Sequence, residues 1–425
     1  MRRVVILGGG FGGLYAARAL GGAPVHVTVI DRTNHHLFQP MLYQVATAAL
    51  SPGDIAYPIR SVLRKHKNTD VLMGEVTRVD IDGRRVHLAD GRSINYDYLL
   101  VAVGAHHSYF GHDAWEPLAP GLKAIPDALE VRRRILMAFE LAEQEQDPAK
   151  RQALLNFVIV GAGPTGVEVA GALAEIKEKT LKRDFRNINP RSARVILLEA
   201  GDRVLPPYPA KLSSAARKTL ERLGVIVRTG ALVTSVRADG VAIGDEFIPS
   251  QCVIWAAGNK ASPVLETLGA ELDRQGRVLV EPDLSIPGHP EVLILGDAAA
   301  FTHQPGHNGP LPALSPVAIQ MGHYAARVIR QETAHNALVE ARRPFKYFDK
   351  GQLAVIGRGR AVADIWKLEF SGFFAWLTWI FVHIAYLIGF RNRVIVLTEW
   401  GISYFTYGKG ARLINRARTP SDGCP

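Results

Sequence analysis

The chain has 425 residues, 48% hydrophobic and 21% charged, which describes two or three folded domains and excludes both a single small core and an extended disordered polymer. Its net charge of +10 comes from scattered basic residues without any RNA- or DNA-binding motif, so an anionic membrane surface is a better expected partner than nucleic acid. Two cysteines, Cys252 in an apolar run and Cys424 beside the C-terminus, exclude a disulfide framework, a structural zinc site and a redox dithiol.

From the N-terminus, MRRVVILGGG runs directly into a strand, an apolar stretch too short and too Gly-rich for a signal peptide, so the main body is expected to stay in the cytoplasm. Val4 to Leu7 reads as a buried strand; Gly8, Gly10 and Gly13 follow it and lead into a helical pattern. Such glycines let backbone N–H groups approach a pyrophosphate at a helix N-terminus, where the dipole favours negative charge. The next strand, HVTVIDR, ends in Asp31, placed to accept from an adenosine ribose, and NYDYLLVAVGA is a buried strand that runs into Gly104. The same grammar returns about 150 residues later. Phe157 to Val160 is a strand, Gly161, Gly163 and Gly166 open a helix, and a basic insert spans Lys177 to Arg194. RVILLEA then ends in Glu199, and QCVIWAAGNK carries Gly258 where YLLVAVG carries Gly104. Glu199 would accept from a ribose 2′-OH and repel a 2′-phosphate, favouring NADH over NADPH, although Arg203 close by blurs that preference. A last apolar strand, EVLILGDAAAF, ends at Gly296 and Asp297 and should return the chain to its first domain. Two loops of this kind in one polypeptide point to two nucleotides and electron transfer between them.

The expected fold is α/β, with two Rossmann-like dinucleotide-binding domains. Residues 1–115 with 280–345 form the first, 150–275 the second, and 350–425 a helical C-terminal region. Within that region Gly372 to Phe390 holds no Asp, Glu, Lys or Arg in 19 positions, long enough for a membrane span. Aromatic residues fill it throughout, however, and VIVLTEWGISYF carries Glu399 before a basic end with Lys409, Arg412, Arg416 and Arg418. Helices lying in the lipid interface explain this mixture better than a span or a buried, dimer-forming tail.

Taken in order, GGGFGG, DRTNHHLFQPMLYQVATAALSPGDIAYPIR, GAGPTGVEVAGALAE, EAGDRVLPPYP, VIWAAGN, LILGDAAAF and VHIAYLIGFRNR closely resemble the type II NADH dehydrogenases, flavoproteins that oxidise NADH and reduce quinone without pumping protons. The glycine motifs are shared by many two-dinucleotide flavoproteins, whereas FQPMLYQVAT and the aromatic C-terminal block are more particular. The resemblance implies one FAD on the first fingerprint, NADH as substrate on the second, a quinone acceptor, a homodimer, and attachment to the cytoplasmic face of the inner membrane through the C-terminal helices. It places Phe11, Gly12, Arg32, Gln39, Val76, Gly104, Asp297 and Ala318 around FAD, and Gly258 and Trp379 near the cofactors. Gln39 and Val76 also have plain structural readings, in a loop and a strand, and Asp297 has one as a helix N-cap. Glu168 would lie near the nicotinamide and the flavin, orienting NADH or handling protons; a carboxylate in the first turn of a helix is also electrostatically comfortable without chemistry.

The family's quinone motif, Ala-Gln-x-Ala-x-Gln, reads here Ser315-Pro316-Val317-Ala318-Ile319-Gln320. Gln320 is retained and can donate to a quinone carbonyl or hold the flavin edge; Pro316 has no amide side chain and no N–H. His35 and His36 lack carboxylate or cysteine partners at metal-ligand spacing, so no metal is expected, and His383 has either a quinone-tunnel or a headgroup role. Among rivals, a sulfide:quinone oxidoreductase needs a cysteine pair that Cys252 and Cys424 hardly supply, and an NADH-binding redox sensor is favoured only by Pro316.

Overall fold

The computed structural model describes residues 1–182, 184–335, 342–366, 368–406 and 410–414. In chain order the elements that position the site are β1 (Arg2–Leu7), α1 (Phe11–Ala19), β2 (Val25–Asp31), α2 (Leu42–Ala46), β3 (Thr69–Met73), β4 (Tyr98–Val101), β5 (Asn156–Val160), α3 (Pro164–Glu175) and β6 (Arg194–Leu198). They continue with α4 (Ala210–Arg222), β7 (Val225–Arg228), β8 (Cys252–Trp255), β9 (Ser285–Ile286), β10 (His289–Ile294), α5 (Ser315–His335), β11 (Gln352–Gly357), β12 (Arg360–Ile365), β13 (Leu368–Gly372), α6 (Phe373–Tyr386) and α7 (Phe390–Thr406).

These fall into two compact units. The first comprises Met1–Leu37, Ala56–His106 and Asn259–Asp349. Its six-stranded sheet has the order β9-β10-β4-β1-β2-β3. All neighbours are parallel except β9 on β10. The central strands are continuous apolar runs because a parallel sheet is covered on both faces: Val4 to Leu7 and Tyr98 to Val101 are buried at every position.

The second unit comprises Phe38–Ile55, His107–Gly258 and Lys350–Pro425. Its parallel sheet runs β7-β6-β5-β8, and a second, antiparallel sheet joins β11, β12 and β13. β5 is buried throughout and sits between β6 and β8, as β1 sits between β2 and β4 in the first unit. The repeat in the sequence is thus a repeat in topology. By contact, Phe38–Ile55 and the described part of the C-terminal region pack with the second fingerprint, where the sequence ranges set 350–425 apart.

Two local expectations change. The apolar stretch 372–390 is not one helix: α6 ends at Tyr386, Leu387 turns extended and Gly389 takes φ +92°. Its 14 residues reach ~21 Å, short of the ~30 Å hydrocarbon core. No helix among the described residues is long and apolar enough to cross a membrane. Asp297 caps no α-helix, because it lies in the 3-10 turn Gly296–Ala298, followed by the short strand Ala299–Ala300, and α5 begins only at Ser315. Lys409, Arg416, Arg418 and Cys424 lie outside the described residues.

Candidate functional site

The two glycine loops are built alike atom for atom. Gly8 N–H donates to the Ile30 carbonyl at 2.7 Å, and Gly161 N–H donates to the Leu198 carbonyl at 2.7 Å. Both glycines hold a left-handed backbone, φ +97° and +98°. The loops then fold back so tightly that a Cβ on Gly13 would stand 1.9 Å from the Gly8 carbonyl oxygen, and a Cβ on Gly166 1.9 Å from that of Gly161. Only hydrogen fits there, and that is what brings α1 and α3 onto the ends of their strands. The strand-end acids lock the turns. Asp31 Oδ2 accepts from Gly9 N–H at 2.6 Å and Oδ1 from Thr33 N–H at 2.7 Å. Glu199 Oε2 accepts from Ala162 N–H at 2.7 Å and Oε1 from Gly201 N–H at 2.8 Å. Asp31 Oδ1 accepts from the Thr33 hydroxyl as well, at 2.7 Å, so in the first loop Oδ2 keeps a lone pair for a sugar hydroxyl, and in the second both Glu199 oxygens do.

The residues fit dinucleotides. Neither α1 nor α3 has a capping side chain or an acid in its first turn, so their first N–H groups are open to an anion. A Cβ on Gly10, Gly163 or Gly104 would meet nothing within 4 Å, which leaves room before each loop. In the first unit the structure gathers Gly12, Gly296 and Ala318: a Cβ on Gly12 would lie 3.5 Å from the Ala318 carbonyl oxygen, and one on Gly296 2.9 Å from the Ala318 Cβ. Asp297 follows Gly296 directly. Phe11 meets the His36 ring edge-on at 5.0 Å, and His36 Nδ1 lies 3.0 Å from the Gly9 carbonyl. Burial lowers the His36 pKa to about 4, so this histidine braces the loop as a neutral ring. Arg32 is exposed. Val76 opens a strand, Val76–Asp80, opposite Leu88. Gln39 belongs to the second unit and donates to the Lys123 carbonyl at 2.9 Å. Gly258, like Gly104, closes the turn after its strand, with φ +72° against +69°.

Glu168 departs from its plain electrostatic reading. The helix starts at Pro164, so Glu168 lies past the first turn, and no acid occupies that turn. What positions it is the crossing of α3 and β11: a Cβ on Gly171 would sit 1.7 Å from the Ile356 carbonyl oxygen, and Glu168, one turn earlier on that face, accepts from Val355 N–H. Burial raises its pKa well above the usual carboxylate value, although some of its surface stays open. Burial, then the charge of Glu168, pushes up the Tyr43 and Tyr208 hydroxyls as well.

A group that sequence reasoning missed surrounds Trp379 in the second unit. Trp379, 2% exposed, stacks on His383 at 4.1 Å and meets Trp400 at 5.3 Å. The Trp379 carbonyl lies 2.7 Å from His383 Nδ1, and burial lowers the His383 pKa to about 4. Trp400 Nε1–H donates to Gln44 Oε1 at 2.7 Å, and Gln44 Nε2–H donates to the Tyr43 hydroxyl at 3.0 Å. Trp379 Nε1–H is buried without an acceptor among the described residues. The available signal was Gln44 itself, a polar residue inside MLYQVA, where all five residues of α2 are buried. Gln320 in α5 spends its amide on one peptide unit: Nε2–H donates to the Phe348 carbonyl and Oε1 accepts from Phe348 N–H, both at 2.9 Å. Pro316, second in α5, stands where a missing N–H costs nothing. Cys252 is buried and free, its thiol pushed up to about 12, so it offers no thiolate for sulfide chemistry.

The model of the pyridine nucleotide-disulphide oxidoreductases matches residues 2–322, and that of the NDH2 C-terminal domain matches residues 350–407. The chain is 48% identical to the type II NADH:quinone oxidoreductase NdhA of Mycobacterium tuberculosis, covering 97% of this chain and 89% of that protein. This chain belongs to the type II NADH:quinone oxidoreductases. A second mycobacterial member of the family, Ndh, is 49% identical over 96% of this chain and 89% of its own length. The solved NDH2 of Plasmodium falciparum in complex with NADH has the same fold, with a TM-score of 0.84 over 98% of this chain and all of that one at 20% identity. A sulfide:quinone oxidoreductase of Aquifex aeolicus shares the fold more distantly, at a TM-score of 0.73 and 18% identity over 95% of each chain.

Proposed function

We infer that this chain, like the type II NADH:quinone oxidoreductases it belongs to, oxidises NADH through FAD and reduces a quinone without moving protons across the membrane. The observation that carries the reading is the pair of glycine loops with matching hydrogen bonds, each with its strand-end acid, in a single chain. Bound flavin would supply the two-electron relay between nicotinamide and quinone. The chain's own residues place and protonate. Amides of the first loop would hold the FAD pyrophosphate, with Asp31 and Asp297 accepting from its sugar hydroxyls, and the second loop would hold NADH. The Glu199 carboxylate would accept from the ribose 2′-OH and disfavour a 2′-phosphate. The Arg203 guanidinium donates to the Pro206 carbonyl at 2.8 Å, which engages the cation that could blur this preference. Burial favours the protonated form of Glu168, so it would hold a proton to a higher pH than an exposed carboxylate does. Trp379 Nε1–H is a ready donor to a quinone carbonyl, since a buried donor without an acceptor is costly until one arrives.

Membrane attachment is supported by apolar side chains left in solvent on one side of each C-terminal helix. On α6 these are Phe373, Phe374, Leu377 and Phe381, with Phe374 75% and Phe381 76% exposed; on α7 they are Val394, Leu397 and Ile402. We place these helices in the interface on the cytoplasmic face, and we read the assembly as a homodimer from family likeness, a point for light scattering in detergent. The deciding experiment combines the visible spectrum of the purified protein with anaerobic stopped flow in lipid. NADH should bleach the flavin, and a ubiquinone or menaquinone analogue should restore it faster than oxygen does. Restoration no faster than by oxygen would leave a sensor in place of an enzyme.

A further inference from the structure

A cavity of about 540 Å³ opens in the second unit between α4 and the β12–β13 hairpin. Lys211, Lys218 and Arg222 line it from α4, and Arg360 from the start of β12. The three helical cations recur at intervals of seven and four, one stripe of α4, while Leu212, Ala216 and Leu220 on the opposite stripe are buried. No carboxylate among the described residues lines the cavity. The acid nearest in sequence, Glu221, is engaged by Arg217 at 2.9 Å. Lys211, Lys218, Arg222 and Arg360 have no ion-pair partner among the described residues; Arg222 donates only to the Lys218 carbonyl at 3.1 Å and to the Thr219 hydroxyl at 3.2 Å. Four cations around one concave surface raise the local anion concentration, because a cleft lined by one sign of charge focuses the field.

What lies beside the cations says which anion. Ser371 and Gly372 also line the cavity, and the chain passes straight from them into α6, whose first residues, Phe373 and Phe374, are exposed. Ala361 and Val362 make part of the wall apolar. A cationic cup that continues into an apolar, solvent-facing helix matches a molecule with a phosphate at one end and hydrocarbon at the other, and the volume exceeds what a single phosphate needs. We propose that this cavity seats the phosphate-bearing headgroup of an anionic phospholipid whose acyl chains run along the exposed aromatic side of α6. The assignment rests on the membrane reading above and deepens it: α6 supplies insertion, and the cavity supplies lipid choice.

The test uses the full chain with its flavin, floated with phosphatidylcholine vesicles with and without phosphatidylglycerol. Wild type is expected to bind both and to prefer the anionic vesicles. The variant Lys218→Gln/Arg222→Gln/Arg360→Gln should lose that preference, with binding to anionic vesicles falling about 10- to 100-fold, while binding to phosphatidylcholine and flavin bleaching by NADH persist. A control with the same charge change outside the cavity, Arg64→Gln/Lys65→Gln/Lys67→Gln, should keep the preference. If the triple variant misfolds, Lys218→Gln and Arg360→Gln singly should each give a partial loss. An unchanged preference in the cavity variants, or an equal loss in the control, overturns the headgroup site and leaves the membrane reading standing. Wild type that floats with neither vesicle overturns the membrane reading itself. Displacement of wild type from anionic vesicles by inorganic phosphate, at concentrations where chloride of equal ionic strength does nothing, would make the cavity a soluble-anion site and refute the lipid assignment.

Discussion

The substitution Gly166→Ala tests the assignment of the two loops most directly. Its Cβ would stand 1.9 Å from the Gly161 carbonyl oxygen, and real Cβ atoms essentially never approach backbone closer than 3.0 Å, so α3 must back away from its loop by about 1 Å. Overpacking of this kind costs ~1–3 kcal/mol of stability, which a domain of this size survives. A displacement of ~1 Å at a positioning element, however, can cost ~10²-fold in function. Gly166→Ala is therefore expected to raise the NADH concentration for half-maximal flavin bleaching by roughly 10²-fold, with the yellow chromophore retained. Gly13→Ala creates the same 1.9 Å contact with Gly8 in the other unit and is expected to strip the flavin instead. Absorbance after desalting measures flavin retention, and anaerobic stopped flow measures the NADH dependence. A Gly166→Ala protein with the wild-type NADH dependence, or two variants that both lose the same cofactor, would refute the reasoning.

Glu168→Gln should alter the pH dependence of stability. Burial raises the carboxyl pKa above its ordinary value near 4.5, so the folded chain holds a proton that the unfolded chain releases; that stabilisation is fully present below about pH 4.5 and is lost as the pH rises through the raised value. Melting temperatures of wild type should accordingly fall relative to the variant across that window, and parallel curves would contradict the assignment. Trp379→Phe keeps the ring stack with His383 and removes only the N–H; if that donor meets the quinone, the quinone KM should rise about 2- to 10-fold with flavin bleaching by NADH untouched. An unchanged KM would return Trp379 to a packing role. Cys252, held as a thiol by burial, should resist maleimide in the native protein, and Cys252→Ala should keep quinone turnover; rapid labelling or lost turnover would revive a cysteine-based reaction.

The cofactor loops are legible in the amino-acid sequence because their signals are local. A strand, a glycine forced to positive φ and an acid at the next strand's end are set by contacts within about 40 residues of chain, and both copies fold as the spacing implies. The same holds for the aromatic character of residues 372–390, although the uniform hydropathy of that stretch does not reveal where it breaks, at Leu387 and Gly389. Three things are decided only by tertiary packing. Glu168 is buried, which raises its pKa, and accepts from Val355 N–H, which lowers it, where α3 crosses β11 nearly 190 residues further on at a glycine that lets backbone touch backbone. Gln44 finds Trp400 across 356 positions, Gln320 is held by Phe348 with one amide N–H still available, and Trp379 Nε1–H is buried without an acceptor among the described residues. The basic cup joins a stripe of α4 to a hairpin some 140 residues later, where each lysine and arginine reads in sequence as an ordinary solvated charge. Backbone geometry and period are written residue by residue, whereas desolvation and charge focusing depend on what long-range packing brings alongside.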